Sequence, residues 1–168
     1  MNSFSKIIPL VAILAIGVVS FPSQAAAPAQ DGDPLLVKSV WKGTLTQTGE
    51  YKGMGGAPPQ FDCVFTVTKR DGEKFEAELY EKTPDLELTY IVRGTIKPVK
   101  IQNKVSGYKI EWESFDAKDV EGAVAVTKIP YTGTLKEKKI KGTWKHPAND
   151  DGTTLEGEFE FELSKKKE

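Results

Sequence analysis

From residue 38 onward the chain alternates apolar and polar positions with a period of two, and no segment sustains an apolar stripe at helical spacing. The pattern predicts strands over 38–48, 61–70, 74–82, 86–97, 104–115, 131–136, 139–146 and 154–164. The last is the cleanest. Leu155, Gly157, Phe159, Phe161 and Leu163 share one face, and Glu156, Glu158, Glu160 and Glu162 share the other. An apolar inner face and a charged outer face describe a sheet with one buried side. A transmembrane barrel needs the opposite arrangement, with apolar residues turned out toward lipid. That class is excluded.

Parity sets the pairing of neighbouring strands. A turn at Glu137-Lys138 places Tyr131 opposite Trp144, Gly133 opposite Gly142 and Leu135 opposite Ile140, so large residues and glycines each meet their own kind. Between the second and third strands, a two-residue Asp71-Gly72 turn would set Phe75 against Thr68. A three-residue loop Arg70-Asp71-Gly72, with Gly72 left-handed as a bulge, instead pairs Val67 with Phe75, Phe65 with Ala77 and Cys63 with Leu79. The bulged loop is the expectation.

A large side chain stands two residues from a glycine at Trp41/Gly43, Val92/Gly94, Tyr131/Gly133, Gly142/Trp144 and Gly157/Phe159. Two apart on a strand means the same face, here the inner one. A glycine there leaves room for a ring and permits the sharp bend that coils a sheet. Gly107 falls on the outer parity beside Tyr108 and serves curvature alone. The fold class expected is all-β, an antiparallel up-and-down barrel of about eight strands, with a two-sheet sandwich as the alternative.

These residues carry a resemblance. Eight sequential strands, Trp41-Lys42-Gly43 on the first, Gly107-Tyr108-Lys109-Ile110-Glu111-Trp112 in the middle and Gly142-Thr143-Trp144 on the seventh resemble the calycin group of lipocalin- and avidin-type meander barrels. The likeness spans residues 38–164. Lipocalins carry Gly-x-Trp on the first strand, whereas this chain has Trp-x-Gly there. The resemblance implies a cup for one small ligand, which is an argument from fold alone.

The ends do not belong to the barrel. Lys6, the apolar run Ile7 to Val19, Pro22 and the small residues Ser23 and Ala25 have the layout of a secretory signal peptide over 1–25. A flexible leader over 26–37, the domain over 38–164 and a basic tail over 165–168 follow. The expected location is secreted or periplasmic, with no membrane span in the mature chain. Cleavage removes Lys6 from the 23 basic residues and leaves 24 acids, a net charge of −2. That balance lacks the basic face a nucleic-acid binder needs. With one cysteine, Cys63, no intrachain disulfide forms, and neither Cys nor His clusters mark a zinc site.

Catalytic chemistry finds little purchase. His146 is the only histidine and sits at a strand end before Pro147; no serine stands in an elbow motif; Cys63 falls between Phe61 and Phe65 as an inward apolar filler. The expectation is a non-enzyme with no cofactor. Outward glutamates facing lysines on adjacent strands are a register and solubility device. Asn149, Asp150 and Asp151 lack the EF-hand pattern and read as turn residues. Long connections are the functional candidates: 48–60, rich in Gly and Pro with Tyr51 and Met54, and 116–130, where Val124, Ala125 and Val126 form a candidate extra strand.

Eleven rings lie on predicted inner faces, enough to push a barrel of eight strands toward a filled interior, while glycines open space near Gly94, Gly133 and Gly142. A shallow aromatic-walled pocket at one mouth reconciles the two. Its candidate ligand-binding residues are Trp41, Tyr51, Met54, Tyr90, Tyr108, Trp112, Tyr131 and Trp144. The partner expected is a small apolar or aromatic molecule, or an extracytoplasmic protein met through the loops.

Overall fold

A computed structural model describes residues 35–84, 87–118, 128–148 and 152–165. Eight antiparallel strands follow one another in chain order: β1 (Val40–Gln47), β2 (Gln60–Asp71), β3 (Lys74–Lys82), β4 (Glu87–Ile101), β5 (Lys104–Lys118), β6 (Pro130–Lys136), β7 (Lys139–Lys145) and β8 (Glu156–Lys165). Each pairs with the next and β8 pairs with β1, so the sheet is a closed up-and-down barrel. The sandwich is thereby ruled out, and closure leaves no edge along the body of the sheet.

Alternation does the sorting. On β2, Cys63, Phe65 and Val67 are buried, and on β3 Phe75, Ala77 and Leu79 are. The glutamates of β8 stay outside and pair with lysines of β7: Lys141–Glu160 at 2.8 Å and Lys145–Glu156 at 3.4 Å. Exposed pairs of this kind contribute at most about 1 kcal/mol each. Stability comes from the interior, where each fully buried large side chain, such as Trp41, Phe65 or Phe161, contributes about 1.5–3 kcal/mol.

Rings fill the middle of the barrel. Phe65 meets Phe75, Trp112 and Phe161 at 6.0, 5.2 and 6.0 Å between centroids, and Phe159 meets Trp112 at 4.9 Å and Phe161 at 5.6 Å. Five backbone positions make room for this packing. An added Cβ at Gly142 would stand 2.1 Å from the Thr132 carbonyl oxygen and 2.6 Å from Phe159 Cζ; at Gly43 it would stand 1.8 Å from the Glu160 oxygen. Gly94, Gly133 and Gly157 are as tightly approached. At these points the glycine gap is spent on strand-to-strand contact.

The β6–β7 pairing is the one parity predicts: Tyr131 with Trp144, Gly133 with Gly142 and Leu135 with Ile140, around a turn whose Glu137 has φ of 57°. The β2–β3 pairing differs. Asp71 pairs with Lys74 across a two-residue turn, and Gly72, at φ of 55°, takes its first position. The irregularity lies between Val67 and Lys69, within the strand. Val67 therefore pairs with Ala77, Phe65 with Leu79 and Cys63 with Glu81, not with Phe75, Ala77 and Leu79 as expected. Faces are preserved because the slide is by two residues. Its consequence is chemical: it sets a carboxyl group opposite Cys63.

The two ends of the barrel are unlike. The end where β1 starts carries the short turns 72–73, 102–103 and 137–138. Leu35, within the stretch expected to be leader, is wholly buried there, and Lys38 N–H donates to the Val67 carbonyl at 2.8 Å. The β4–β5 hairpin overshoots its neighbours at this end, exposing Val99, Ile101 and Val105. The strand ends that flank the longer connections, 48–59, 83–86, 119–129 and 146–155, lie at the opposite end. The candidate strand Val124-Ala125-Val126 and the turn Asn149-Asp150-Asp151 lie outside the described residues, as do residues 1–34 and 166–168. Among the described residues no helix is long and apolar enough to cross a membrane.

Candidate functional site

The structure divides the eight ring and loop candidates between the two ends. Trp41 is at the start of β1, fully buried, with its Nε1 donating to Ser39 Oγ at 3.1 Å. Tyr108 pairs with Leu135 on the side of the short turns. Neither reaches the mouth formed by the long connections. Tyr90, Trp112, Tyr131 and Trp144 belong to that mouth. Trp112 pairs with Tyr131 and Tyr131 with Trp144, so the three form one inner row across β5, β6 and β7. Trp112 and Tyr131 stack at 5.1 Å and 9°. Such a contact is worth about 0.5–1.5 kcal/mol beyond its buried area.

Two donors in this row have no acceptor. Among the described residues, the indole N–H groups of Trp112 and Trp144 are buried without a hydrogen-bond partner. A buried donor left unpaired costs about 1–3 kcal/mol. Trp144 lies over Gly157, whose missing side chain leaves its indole nitrogen room.

Glu81 is the residue that the strand pattern did not single out. Phe75, Ala77 and Leu79 point inward, and continuing their parity carries Glu81 inward as well, near the mouth. It is half-buried. Desolvation pushes its carboxyl from 4.5 up to about 7, against the pull of a hydrogen bond from Tyr131. The same burial raises the Tyr131 hydroxyl well above its ordinary value, and the Glu81 charge adds to it. Tyr90 is pushed up to about 12, by burial and then by Glu81. The Cys63 thiol is raised by burial first and Glu81 second, and its Sγ donates to the Phe61 carbonyl at 3.7 Å. Cys63 is thus the inward filler its neighbours implied, and its thiolate is disfavoured.

Side chains of the interior are reachable from solvent mainly at this mouth. Phe61, Tyr90, Ile129 and Leu155 pack on the core while only partly buried, and all four lie here; Leu163 lies toward the other end. Of these, Phe61 also lines a hollow of about 370 Å³ at the rim, together with the exposed Gln60, Asp62 and Lys82 and with Pro58, Thr83 and Pro84; Glu81 is not part of it. A larger open groove of about 710 Å³ runs along the wall toward the short turns. Lys69 and Arg93 on it contact Glu76 at 3.2 and 3.6 Å, and Arg70 donates to the Gly72 and Lys74 carbonyls.

Polar side chains fix the connections around the mouth. Gln47 ends β1 buried, its Oε1 accepting from Gly53 N–H at 2.8 Å and its Nε2 donating to the Met54 carbonyl at 3.4 Å. It thereby ties down the 48–59 connection, which holds Tyr51, partly buried, and Met54, exposed. Ser114, buried on β5, accepts from Ile129 N–H at 2.8 Å and secures the return of the chain into β6. His146 is partly buried beside its neighbour's carbonyl, with Nδ1 2.7 Å from Pro147 O. Among the described residues no group of three or more His, Cys, Asp or Glu is placed to hold a metal ion.

The fold and this mouth define an antiparallel eight-stranded meander barrel with a filled centre and one half-open end. Comparison with family models, with curated proteins and with solved structures found no match.

Proposed function

We propose that the protein is an exported, non-enzymatic barrel of the calycin type that binds a small aromatic or apolar molecule at the mouth bounded by the long connections. The observation that carries this reading is the asymmetry between the ends. One end buries Leu35, while the other leaves Phe61, Tyr90, Ile129 and Leu155 partly open above Trp112, Tyr131 and Trp144. Small-molecule sites combine apolar walls with a few placed polar groups. Here the polar groups are Glu81 and the indole N–H donors of Trp112 and Trp144, unpaired among the described residues. Rings at the centre confine a ligand to the mouth, so the site is shallow. The same filled centre favours a second reading, a secreted inhibitor or surface-recognition module that works through its loops.

Fluorescence titration with p-cresol, a neutral aromatic, tests the first reading. Trp112 and Trp144 lie in the site and Trp41 does not, so a saturable emission change is expected and Trp144→Phe should diminish it. Tyr90→Ala should weaken binding while leaving the fold cooperative. An unsaturable, solvent-like response would overturn small-molecule binding and leave recognition through the loops.

A further inference from the structure

We infer that the ligand of this mouth carries a cationic amine, held by the Glu81 carboxylate within an aromatic wall formed by Phe61, Tyr90 and Tyr131. The inference rests on the proposed mouth reading and specifies its substrate class. Glu81 is inward by register, paired with Cys63 on β2 and Leu88 on β4. Among the described residues, three titratable groups face it: Cys63 from β2, Tyr90 from β4 and, across the interior, Tyr131 from β6. None is a cation. The nearby Lys82 is occupied outside the wall by Glu87 at 2.7 Å. Among the described residues, one hydrogen bond, from Tyr131, supports the carboxylate.

An inward carboxylate that no cation among the described residues faces is costly, because a buried charge requires a partner. An ammonium group entering from the mouth supplies one. The surrounding rings add to the attraction, since aromatic faces draw cations more strongly as water is excluded. The rest of an arylalkylamine, a ring on a short chain, matches Phe61, which lies two residues from Cys63, the cross-strand partner of Glu81, and is only partly buried. A neutral aromatic gains the wall and forgoes the charge pair. A carboxylic acid meets like charge.

Binding of a cation requires the ionised carboxylate. Affinity should therefore rise with pH through the range in which Glu81 titrates, near 7. The experiment compares phenethylamine with 2-phenylethanol, its neutral counterpart, by calorimetry at pH 5.5 and pH 8. Phenethylamine stays protonated at both pH values, so the change reports on the protein. The expected result at pH 8 is a preference of about tenfold or more for the amine, falling at least tenfold in affinity at pH 5.5. Glu81→Gln should abolish the preference and the pH dependence, with Glu76→Gln on the outer wall as the unaffected control. Equal binding of amine and alcohol, insensitive to pH and to Glu81→Gln, overturns the amine while keeping the mouth. Binding of neither compound overturns both.

Discussion

Glu81→Gln isolates the energetic cost of the inward carboxyl. In the folded chain that group titrates near 7 rather than 4.5. Between those values the native state holds a proton that the unfolded chain has released, so stability falls as pH rises. Below pH 4.5 both states are protonated and there is no penalty; above pH 7 the full penalty applies. At about 1.4 kcal/mol per pKa unit the difference corresponds to ~3 kcal/mol at most. Partial exposure of Glu81 brings the expected value to about 1–3 kcal/mol. Glutamine keeps a carbonyl oxygen for the Tyr131 hydroxyl and carries no charge. The variant should therefore be more stable than the wild type at pH 8 by that amount and indistinguishable from it at pH 4.5. Urea unfolding at the two pH values, followed by tryptophan fluorescence, measures both differences, and other titrating groups cancel in the comparison. A variant less stable at pH 8, or a gain of equal size at both pH values, would refute the reasoning.

Further outcomes follow from the same packing. Gly142→Val should destabilise by about 1–3 kcal/mol or more, because its Cβ would lie 2.1 Å from a backbone oxygen; Thr143→Val, one residue along on the outer face, should stay within about 0.5 kcal/mol. Denaturant unfolding of the two variants reads the contrast, and a larger loss for Thr143→Val would invert the assignment of faces. Cys63 should resist disulfide-exchange reagents at pH 8 until the chain unfolds, since it is 2% exposed with its thiol pKa raised; labelling at the rate of a free thiol would contradict its burial. Gln47→Ala should cost about 1–3 kcal/mol and speed amide exchange at Gly53, whose N–H it holds. Unchanged exchange there would show that the connection is fixed by other contacts. Mass spectrometry of the exported protein should find an N-terminus near Ala26, and retention of residues 1–25 on a soluble product would defeat the signal-peptide reading.

The barrel was legible because its inner positions repeat a strong alternation. On β6 and β7 large residues and glycines mark the phase at every second position, and the observed register agrees with parity pair for pair. The β2–β3 register was not legible for a definite reason. After Val67 the sequence Thr68-Lys69-Arg70-Asp71 contains no apolar residue, so nothing in the pattern shows where the strand takes in an extra residue. The irregularity there slides β3 by two positions against the expected pairing. Glu81 was hidden by its residue type. A glutamate beside Lys82 at a strand end looks like the exposed acids of β8, and only the parity of Phe75, Ala77 and Leu79 turns it inward. Trp41 and Tyr108 show the converse limit: parity tells inside from outside, while height along the barrel depends on the stagger of neighbouring strands.

Chemical-shift mapping of the 15N-labelled protein with phenethylamine at pH 8 tests the central claim most directly. Shifts should saturate and gather at Phe61, Cys63, Glu81, Tyr90, Tyr131 and Leu155, and should leave the hairpin of Val99, Ile101 and Val105 unmoved. Saturable shifts centred on that hairpin or on the groove of Lys69 and Arg93, or no saturable shifts at all, would contradict a ligand site at the mouth.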